Sequence, residues 1–542
     1  MQELTTAEIV AEYLIANDVD TVFGIPGAHM YDFNDALARR SDRLRFIVTR
    51  HEQGSGYMAF GYAKSSGRVG TYTVVPGPGV LNSGAALCTA FGATAPVLCI
   101  TGNIMADLIG KGRGQLHELP DQLALLRGLA KWAERMNHPS EAPEVMTQAF
   151  RQLRSGRPRP VAVEAPWDVY GQRAIIPVIE SAEPIPPPQL DDRALSDAAK
   201  LIVASRRPLI SVGAGALHAA DAVRELSRLL QAPVTAHRSG KGIVSADEPL
   251  SLGPIAAYDY WKATDLLIGI GSRLELEFMR WRWHPPGLKT IRIDIDPTEF
   301  VRLPPDVGVV GDADNAIRAL IAKLGLQRRK RRNITDEMLQ LKAEEQIKLE
   351  ELQPQMAYVR AIRAVLPRDG FFVEEISQMG FTSRLGFPVY QPRQYVTCGY
   401  QDNLGFGFNT ALGVQVANPD KPVISVSGDG GFLYGAQELA TAAQHGINVV
   451  SIVFNNQSYG NVLRDQRERY GSRFLGSELR NPDFVRLAEA YGVAAETVGT
   501  PVALYSALER ALAAGAPRLI EVRQSRGCET SPWKFLHPAP HQ

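Results

Sequence analysis

Cysteine is scarce in this chain. Four occur in 542 residues, Cys88, Cys99, Cys398 and Cys528. None forms a C-x-x-C pair, so the spacing suits neither a zinc site nor a disulfide framework. Scattered cysteines read as small buried hydrophobes in a reducing cytoplasm. An excess of charge is also missing, since 58 basic residues balance 58 acidic ones. That balance gives no electrostatic ground for nucleic acid or an anionic membrane as partner. No run of about 18 apolar residues occurs, so no membrane span is expected. The start, Met-Gln-Glu-Leu-Thr-Thr-Ala-Glu, has no basic stretch leading into an apolar core, so no signal peptide is expected. Together these absences lead to the expectation of a soluble, cytoplasmic protein.

What the chain does have is ordinary globular composition, 45% hydrophobic and 21% charged, at a length that suits about three domains. Strand-like and helix-like patterns alternate throughout, which predicts an α/β fold with parallel sheets flanked by helices. A first domain is expected over 1–180. It opens on a helix whose Thr5 and Glu8 have capping-box spacing, with strands at Phe46–Thr49, Thr71–Val75 and Val97–Ile100. Consecutive prolines at Pro186, Pro187 and Pro188 cannot continue a helix or a central strand, so they mark a linker. A central domain is expected over 190–327, with strands at Leu209–Val212, Leu266–Ile270 and Ile291–Ile295. A basic run within Gln327–Asn333 reads as a second boundary, because no aromatic residue interleaves with it. The third domain, 356–542, carries strands at Phe372–Glu374, Val423–Ser427 and Val449–Phe454.

The chemistry is concentrated at two places. In the third domain, strand Val423–Ser427 ends in Gly428-Asp429-Gly430-Gly431. A helix-like stretch at Gln437–His445 follows, and the next strand ends in Asn455-Asn456. The spacing makes one right-handed strand–helix–strand unit, which puts both motifs at carboxyl ends of strands, where α/β sheets bind ligands. A hard cation bridging a diphosphate needs such oxygens. Asp429 offers a carboxylate, Asn456 a neutral oxygen and Ser458 a backbone carbonyl, while the glycines let backbone amides approach phosphate. In the first domain, Arg50-His51-Glu52-Gln53-Gly54 opens a helix after a strand, and Gly77-Pro78-Gly79 with Leu81-Asn82 opens another.

Gly-Asp-Gly, a spacer in the mid-twenties and Asn-Asn resemble the signature of thiamine-diphosphate enzymes. The His-Glu turn and the following Gly-Tyr-Ala helix resemble their pyrimidine-binding domain. The resemblance covers nearly the whole chain, in the order pyrimidine, central and diphosphate domain, and it implies thiamine diphosphate and Mg²⁺ as cofactors. It makes Glu52 the carboxyl group that shares a proton with the pyrimidine nitrogen, buried and with a raised pKa. It places Pro78, Gly79 and Asn82 beside the pyrimidine ring and Leu404 as the wedge that bends the cofactor. Ser377 and Gln378 fall at diphosphate contacts, Gly428, Gly430 and Gly431 where backbone amides approach the phosphates, and Asn456, Tyr459 and Gly460 among the further cofactor-binding residues. Asp429, Asn456 and Ser458 fall at the metal.

Within the family, Asn455–Gly460 and Asn481-Pro482-Asp483-Phe484 look like acetolactate synthase. Gly27-Ala28-His29, Lys131-Trp132-Ala133 and Pro166-Trp167-Asp168 look like benzaldehyde lyase. There the histidine matching His29 handles protons on the substrate, work suited to an imidazole. His117 stands where both relatives carry glutamine, and a histidine can transfer a proton where a glutamine only hydrogen-bonds. The resemblance therefore implies a carboligase, lyase or decarboxylase acting on a 2-keto acid or 2-hydroxy ketone. A 2-hydroxyacyl-CoA or oxalyl-CoA type lyase and a cyclic 1,2-diketone hydrolase are alternatives, and a cofactor-binding regulatory protein is the non-enzyme one. Gly213-Ala214-Gly215 has no third glycine in register, and Leu274-Glu275-Leu276 replaces the charged run of the flavin-binding relatives, so FAD is not expected as a required cofactor. Trp533 and Phe535 are candidates to close over the site. Relatives build that site between two subunits, so a homodimer or homotetramer is expected.

Overall fold

The computed structural model describes residues 1–325 and 331–541. The boundary expected at Gln327–Asn333 lies, up to residue 330, outside the described residues. Beyond it, the Arg331 guanidinium donates to the carbonyls of Ile202 and Ser205, at the end of helix Asp192–Ala204.

The strands of the first domain are β1 (Gln2–Thr5), β2 (Thr21–Gly24), β3 (Arg45–Val48), β4 (Gly70–Val74), β5 (Val97–Asn103), β6 (Trp132–Arg135), β7 (Val161–Pro166) and β8 (Arg173–Ile176). Six of them form a parallel sheet in the order β3-β2-β4-β5-β7-β6. β1 and β8 pair antiparallel as a separate ribbon, Gln2 facing Ile176. The capping box is made as its spacing predicts: Thr5 Oγ1 accepts the Glu8 N–H at 3.1 Å, and the Glu8 carboxylate accepts the Thr5 N–H at 2.8 Å. Helix Thr6–Ala16 follows.

The central sheet holds β9 (Pro208–Val212), β10 (Val234–Thr235), β11 (Ser251–Leu252), β12 (Leu266–Ile270), β13 (Lys289–Asp294) and β14 (Val307–Val310). It is parallel in the order β11-β10-β9-β12-β13-β14, the doubly wound arrangement whose direction reverses between β9 and β12. The third sheet holds β15 (Phe371–Val373), β16 (Tyr395–Val396), β17 (Val423–Gly428), β18 (Val449–Asn455), β19 (Ala494–Val498) and β20 (Arg518–Arg523). Its order is β16-β15-β17-β18-β20-β19. The first and third sheets are thus wound alike: counting each sheet's strands in chain order, both run second, first, third, fourth, sixth, fifth.

These two domains share one core. Helix Glu52–Ser66 of the first packs on helix Gly407–Ala417 of the third. Both helices are rich in small residues, so their backbones touch. A Cβ on Gly61 would strike the Thr410 carbonyl, and one on Gly413 the Met58 carbonyl. The packing sets the carboxyl-terminal edges of the two sheets, and hence both motifs, relative to one another.

Candidate active site

The carboxyl ends of β2 to β5 and of β7 converge on one face. Glu52 is the first residue of its helix, behind His51, whose Nδ1 caps it by accepting the Gln53 N–H at 3.1 Å. Asn82 lies one turn inside helix Pro78–Gly92 and donates its amide to Glu52 Oε2 at 3.0 Å. Gly77 has φ +62° and precedes Pro78, the first helical residue. A Cβ on Gly77 would fall 2.5 Å from the His117 carbonyl oxygen, and one on Gly79 would fall 3.7 Å from Glu52 Cγ. Glycine is therefore required at 77 by both conformation and space. The sequence reading expected a buried Glu52. In the single chain it is half-buried, because a helix start at the rim of the sheet faces outward.

His29 follows β2 and His117 follows β5. Both have positive φ, 70° and 67°, an uncommon conformation for a side chain of this size. Their Nδ1 atoms lie 3.3 Å apart, and the Trp167 ring stands edge-on to His29 at 5.9 Å. A contact between two such nitrogens requires one to donate and the other to accept, so the pair holds one proton between them. Burial, then the facing His117, hold the His29 imidazole below its ordinary 6.5. The face can therefore carry a carboxylate and a mobile proton side by side.

The second face lies at the ends of β15, β17 and β18. β17 and β18 are neighbours, with Gly428 opposite Phe454, so Asp429 and Asn456 emerge side by side. Asp429 opens the short helix Asp429–Phe432. Its Oδ1 accepts the Gly430 N–H at 2.9 Å and its Oδ2 the Asn481 amide at 2.7 Å. Burial nevertheless raises its pKa, because desolvation disfavours the charged carboxylate. Asn456 accepts the Ser458 hydroxyl at 2.8 Å and donates to Glu529 Oε1 at 2.6 Å. Ser377 caps helix Gln378–Gly386, leaving Gln378 in its first turn. The Tyr459 ring lies over Gly430, where any Cβ would strike it, and Gly460 packs on the Asn456 amide. Among the described residues no group of three or more His, Cys, Asp or Glu forms a metal cage. The Asp429 carboxylate beside the neutral Asn456 and Ser458 oxygens, with the Glu529 carboxyl behind Asn456, fits a hard cation that takes its remaining ligands from phosphate.

Leu404 sits in the turn between Gly399–Gln401 and helix Gly407–Ala417. The Gly405 N–H behind it donates to the buried Glu375, whose carboxyl burial pushes up to about 7. Among the described residues, no hydrogen bond or ion pair joins the Glu52, His29 and His117 face to the Asp429 and Asn456 face.

Comparison with known proteins decides the family. Residues 4–125 match the N-terminal TPP binding domain of thiamine pyrophosphate enzymes, 195–320 their central domain and 375–522 their C-terminal TPP binding domain. The chain belongs to the thiamine pyrophosphate enzyme family. It is 34% identical to the Probable 2-ketoarginine decarboxylase of Pseudomonas aeruginosa over 535 residues, 96% of this chain and 94% of that protein. It is 32% identical to the Probable acetolactate synthase large subunit of Methanocaldococcus jannaschii over 544 residues, 95% of this chain and 91% of that one. With the Acetolactate synthase isozyme 1 large subunit of Escherichia coli it shares 30% over 541 residues, 96% and 94% of the two chains.

As a thiamine pyrophosphate enzyme the chain uses thiamine diphosphate, the same molecule under its other name. Its central domain holds a cavity of about 540 Å³ at the switch point, lined by Gly213, Gly215, Arg238, Gly271, Glu275 and Tyr400 among others. Gly215 is there for packing: its Cβ would fall 2.7 Å from Gly271 Cα. No helix is long and apolar enough to cross a membrane among the described residues. Two residues bonded to Asp429 and Asn456 carry no mark as site residues in the sequence, Asn481 and Glu529. Asn481 stood within a quoted motif, but Glu529 lies in the C-terminal tail with no spacing to betray it. In that tail Trp533 donates its indole N–H to Asn461 at 3.0 Å and packs on Phe381, ring centroids 5.0 Å apart.

Proposed function

We propose that this enzyme decarboxylates a 2-oxo acid, with or without transfer of the remaining fragment to an acceptor carbonyl, using thiamine diphosphate and Mg²⁺. The observation that carries the reading is the Nδ1 contact between His29 and His117 beside Glu52. The relative named as a 2-ketoarginine decarboxylase supports the same donor class. When bound, the cofactor supplies the electron sink that accepts the pair released as carbon dioxide leaves.

Asp429, the Asn456 side chain and the Ser458 carbonyl hold Mg²⁺, and Gly428, Gly430 and Gly431 let backbone amides approach the diphosphate. Tyr459, Gly460, Ser377 and Gln378 border it. Glu52, steadied by Asn82, would hold the proton at the pyrimidine nitrogen, Pro78 and Gly79 would border the pyrimidine, and Leu404 would serve as the wedge. His29 and His117 deliver or remove a proton at the substrate oxygen or carbon. Flavin is not required in this reading; a stoichiometric yellow chromophore on the purified protein would overturn that part.

The site is complete only when a second copy brings its Asp429 face to this chain's Glu52. The support is that, among the described residues, no hydrogen bond or ion pair joins Glu52, His29 or His117 to Asp429 or Asn456 within one chain, together with exposed Leu81, Leu116 and Trp167 around the first face. A homodimer or homotetramer follows.

One observation favours a second reading, a 2-hydroxyacyl-CoA type lyase: the central cavity has room for a nucleotide. The test is apo-protein reconstituted with thiamine diphosphate and Mg²⁺, offered pyruvate, 2-ketoarginine, benzoylformate, benzoin, acetoin, 2-hydroxyacyl-CoA and cyclohexane-1,2-dione. Carbon dioxide release from a 2-oxo acid, lost in Glu52→Gln, supports the proposal. Turnover confined to the CoA ester or to the dione would replace it.

A further inference from the structure

The turn that carries Leu404 is held from three sides. From the first domain, Thr89 donates to Asn403 Oδ1 at 3.0 Å, and Asn403 in turn donates to the Tyr57 hydroxyl. From the third, Arg384 donates to Asp402 at 2.9 Å while its Nε grips the buried Glu374. From the central domain comes Arg238. It meets both oxygens of Asp402, at 2.8 and 3.1 Å, and also donates to the Gly399 carbonyl. Asp402 has φ +45°, a left-handed conformation uncommon for residues with a side chain, though aspartate takes it more readily than most. Arg238 is 6% exposed, and its far side is braced by Glu275 at 2.9 Å, which Arg280 also grips. Burial would raise the Asp402 carboxyl, but Arg384 and Arg238 outweigh it and hold it below the usual carboxylate range.

We infer that the Arg238–Asp402 pair is a positioning device for the active site: a central-domain guanidinium fixes the left-handed turn at Asp402 and so aims Leu404 at the cofactor. The inference rests on the proposed role of Leu404 as the wedge. Two parallel N–H···O bonds between charged, desolvated partners restrain direction as well as distance. Asp402 lies only two residues from Leu404, so a shift at the first moves the second. The anchor lies outside both cofactor-binding domains. Arg238 and Gly399 also line the central cavity, so the pair forms part of the wall between that cavity and the catalytic turn.

The test compares Arg238→Ala, Arg238→Lys and Asp402→Asn with Leu404→Ala, each checked for an unchanged oligomeric state and melting profile. In apo-protein, amide hydrogen exchange over 399–405 is expected to speed up in Arg238→Ala and Asp402→Asn. With thiamine diphosphate and Mg²⁺ added, the cofactor Kd is expected to stay within about threefold, because Asp429 and Asn456 are untouched. Exchange of the cofactor's C2 proton is expected to slow by about tenfold or more, as a small misplacement can. Arg238→Lys, which keeps the charge but loses the fork, restores only part of it. Normal C2-proton exchange in both Arg238→Ala and Asp402→Asn, with Leu404→Ala slow, overturns the inference and leaves the wedge standing. Normal exchange in Leu404→Ala removes the wedge reading, and the inference with it. Should Arg238→Ala fail to fold, Asp402→Asn alone decides.

Discussion

The Glu438 carboxylate accepts the backbone N–H of His51 at 2.9 Å, one residue before Glu52, and that of Arg50 at 3.0 Å. A residue of the diphosphate domain thereby fixes the turn that presents the first domain's acid. Glu438→Ala leaves both amides without their acceptor, which costs about 1–3 kcal/mol for each buried group. The expected result is a lowered urea midpoint together with a fall in turnover. A full midpoint with normal turnover would show that the turn holds its own shape.

Glu52→Gln keeps the size and the Asn82 contact but cannot share a proton. Turnover is expected to fall by about a hundredfold or more while thiamine diphosphate binds with nearly unchanged affinity. Calorimetric titration beside a steady-state assay separates the two. Parallel losses of binding and rate would mean that Glu52 serves binding alone.

Asp429→Asn keeps the size but removes this carboxylate from the oxygen set and turns one of its two accepting oxygens into an N–H donor. Cofactor affinity is expected to drop by about a hundredfold and to recover in part at high Mg²⁺, since a hard cation loses its anionic ligand. Chelation of the native protein should reproduce the loss. Tight binding in the presence of chelator would contradict the metal assignment.

His29 is held below 6.5 by burial and by the facing His117, so its neutral form prevails at pH 7. Activity that needs neutral His29 as proton acceptor rises with pH through a point below 6.5 and is lost on acidification. His117→Gln takes away the neighbouring charge, so the acid limb of kcat/KM moves up in pH. A limb that stays in place in this variant yet disappears in His29→Gln would show that the two rings titrate independently.

Much of this was legible before any coordinates. Gly428–Gly431 and Asn455-Asn456 face each other because the stretch between them is just long enough for one crossover between adjacent parallel strands. Glu52 opens its helix after a strand as its pattern predicts. The two-residue strands β10, β11 and β16 were not legible, since two residues set no hydrophobic period. The polar β1 was missed for the same lack of pattern; it exists through pairing with β8, about 170 residues away. Asn481 and Glu529 reach Asp429 and Asn456 by tertiary folding alone. The burial expected for Glu52 is not displayed by a helix-start residue at the sheet rim of a single chain.

Glu277 is fully buried, among the described residues its carboxylate has no ion-pair partner, and burial pushes its pKa to about 7 from 4.5 against the weaker pull of Ser211. Native Glu277 therefore keeps its proton where the unfolded chain has already lost it. Stability from this group is full below pH 4.5 and is lost as pH rises to 7. Glu277→Gln is expected to stabilise the protein by about 3 kcal/mol at pH 8 but by under about 1 kcal/mol at pH 5. Urea unfolding at the two pH values checks this; an equal gain at both would mean that a cavity ligand or counter-charge already compensates the carboxylate.

The identical winding of the first and third sheets has a consequence for ancestry. Two sheets that repeat the same permutation of six strands within one polypeptide are what duplication of one unit would leave. After such a doubling, one copy would carry Glu52, His29 and His117 and the other Asp429 and Asn456. A lone ancestral unit would have met its partner by pairing with another copy of itself, which is the arrangement proposed for the present-day site.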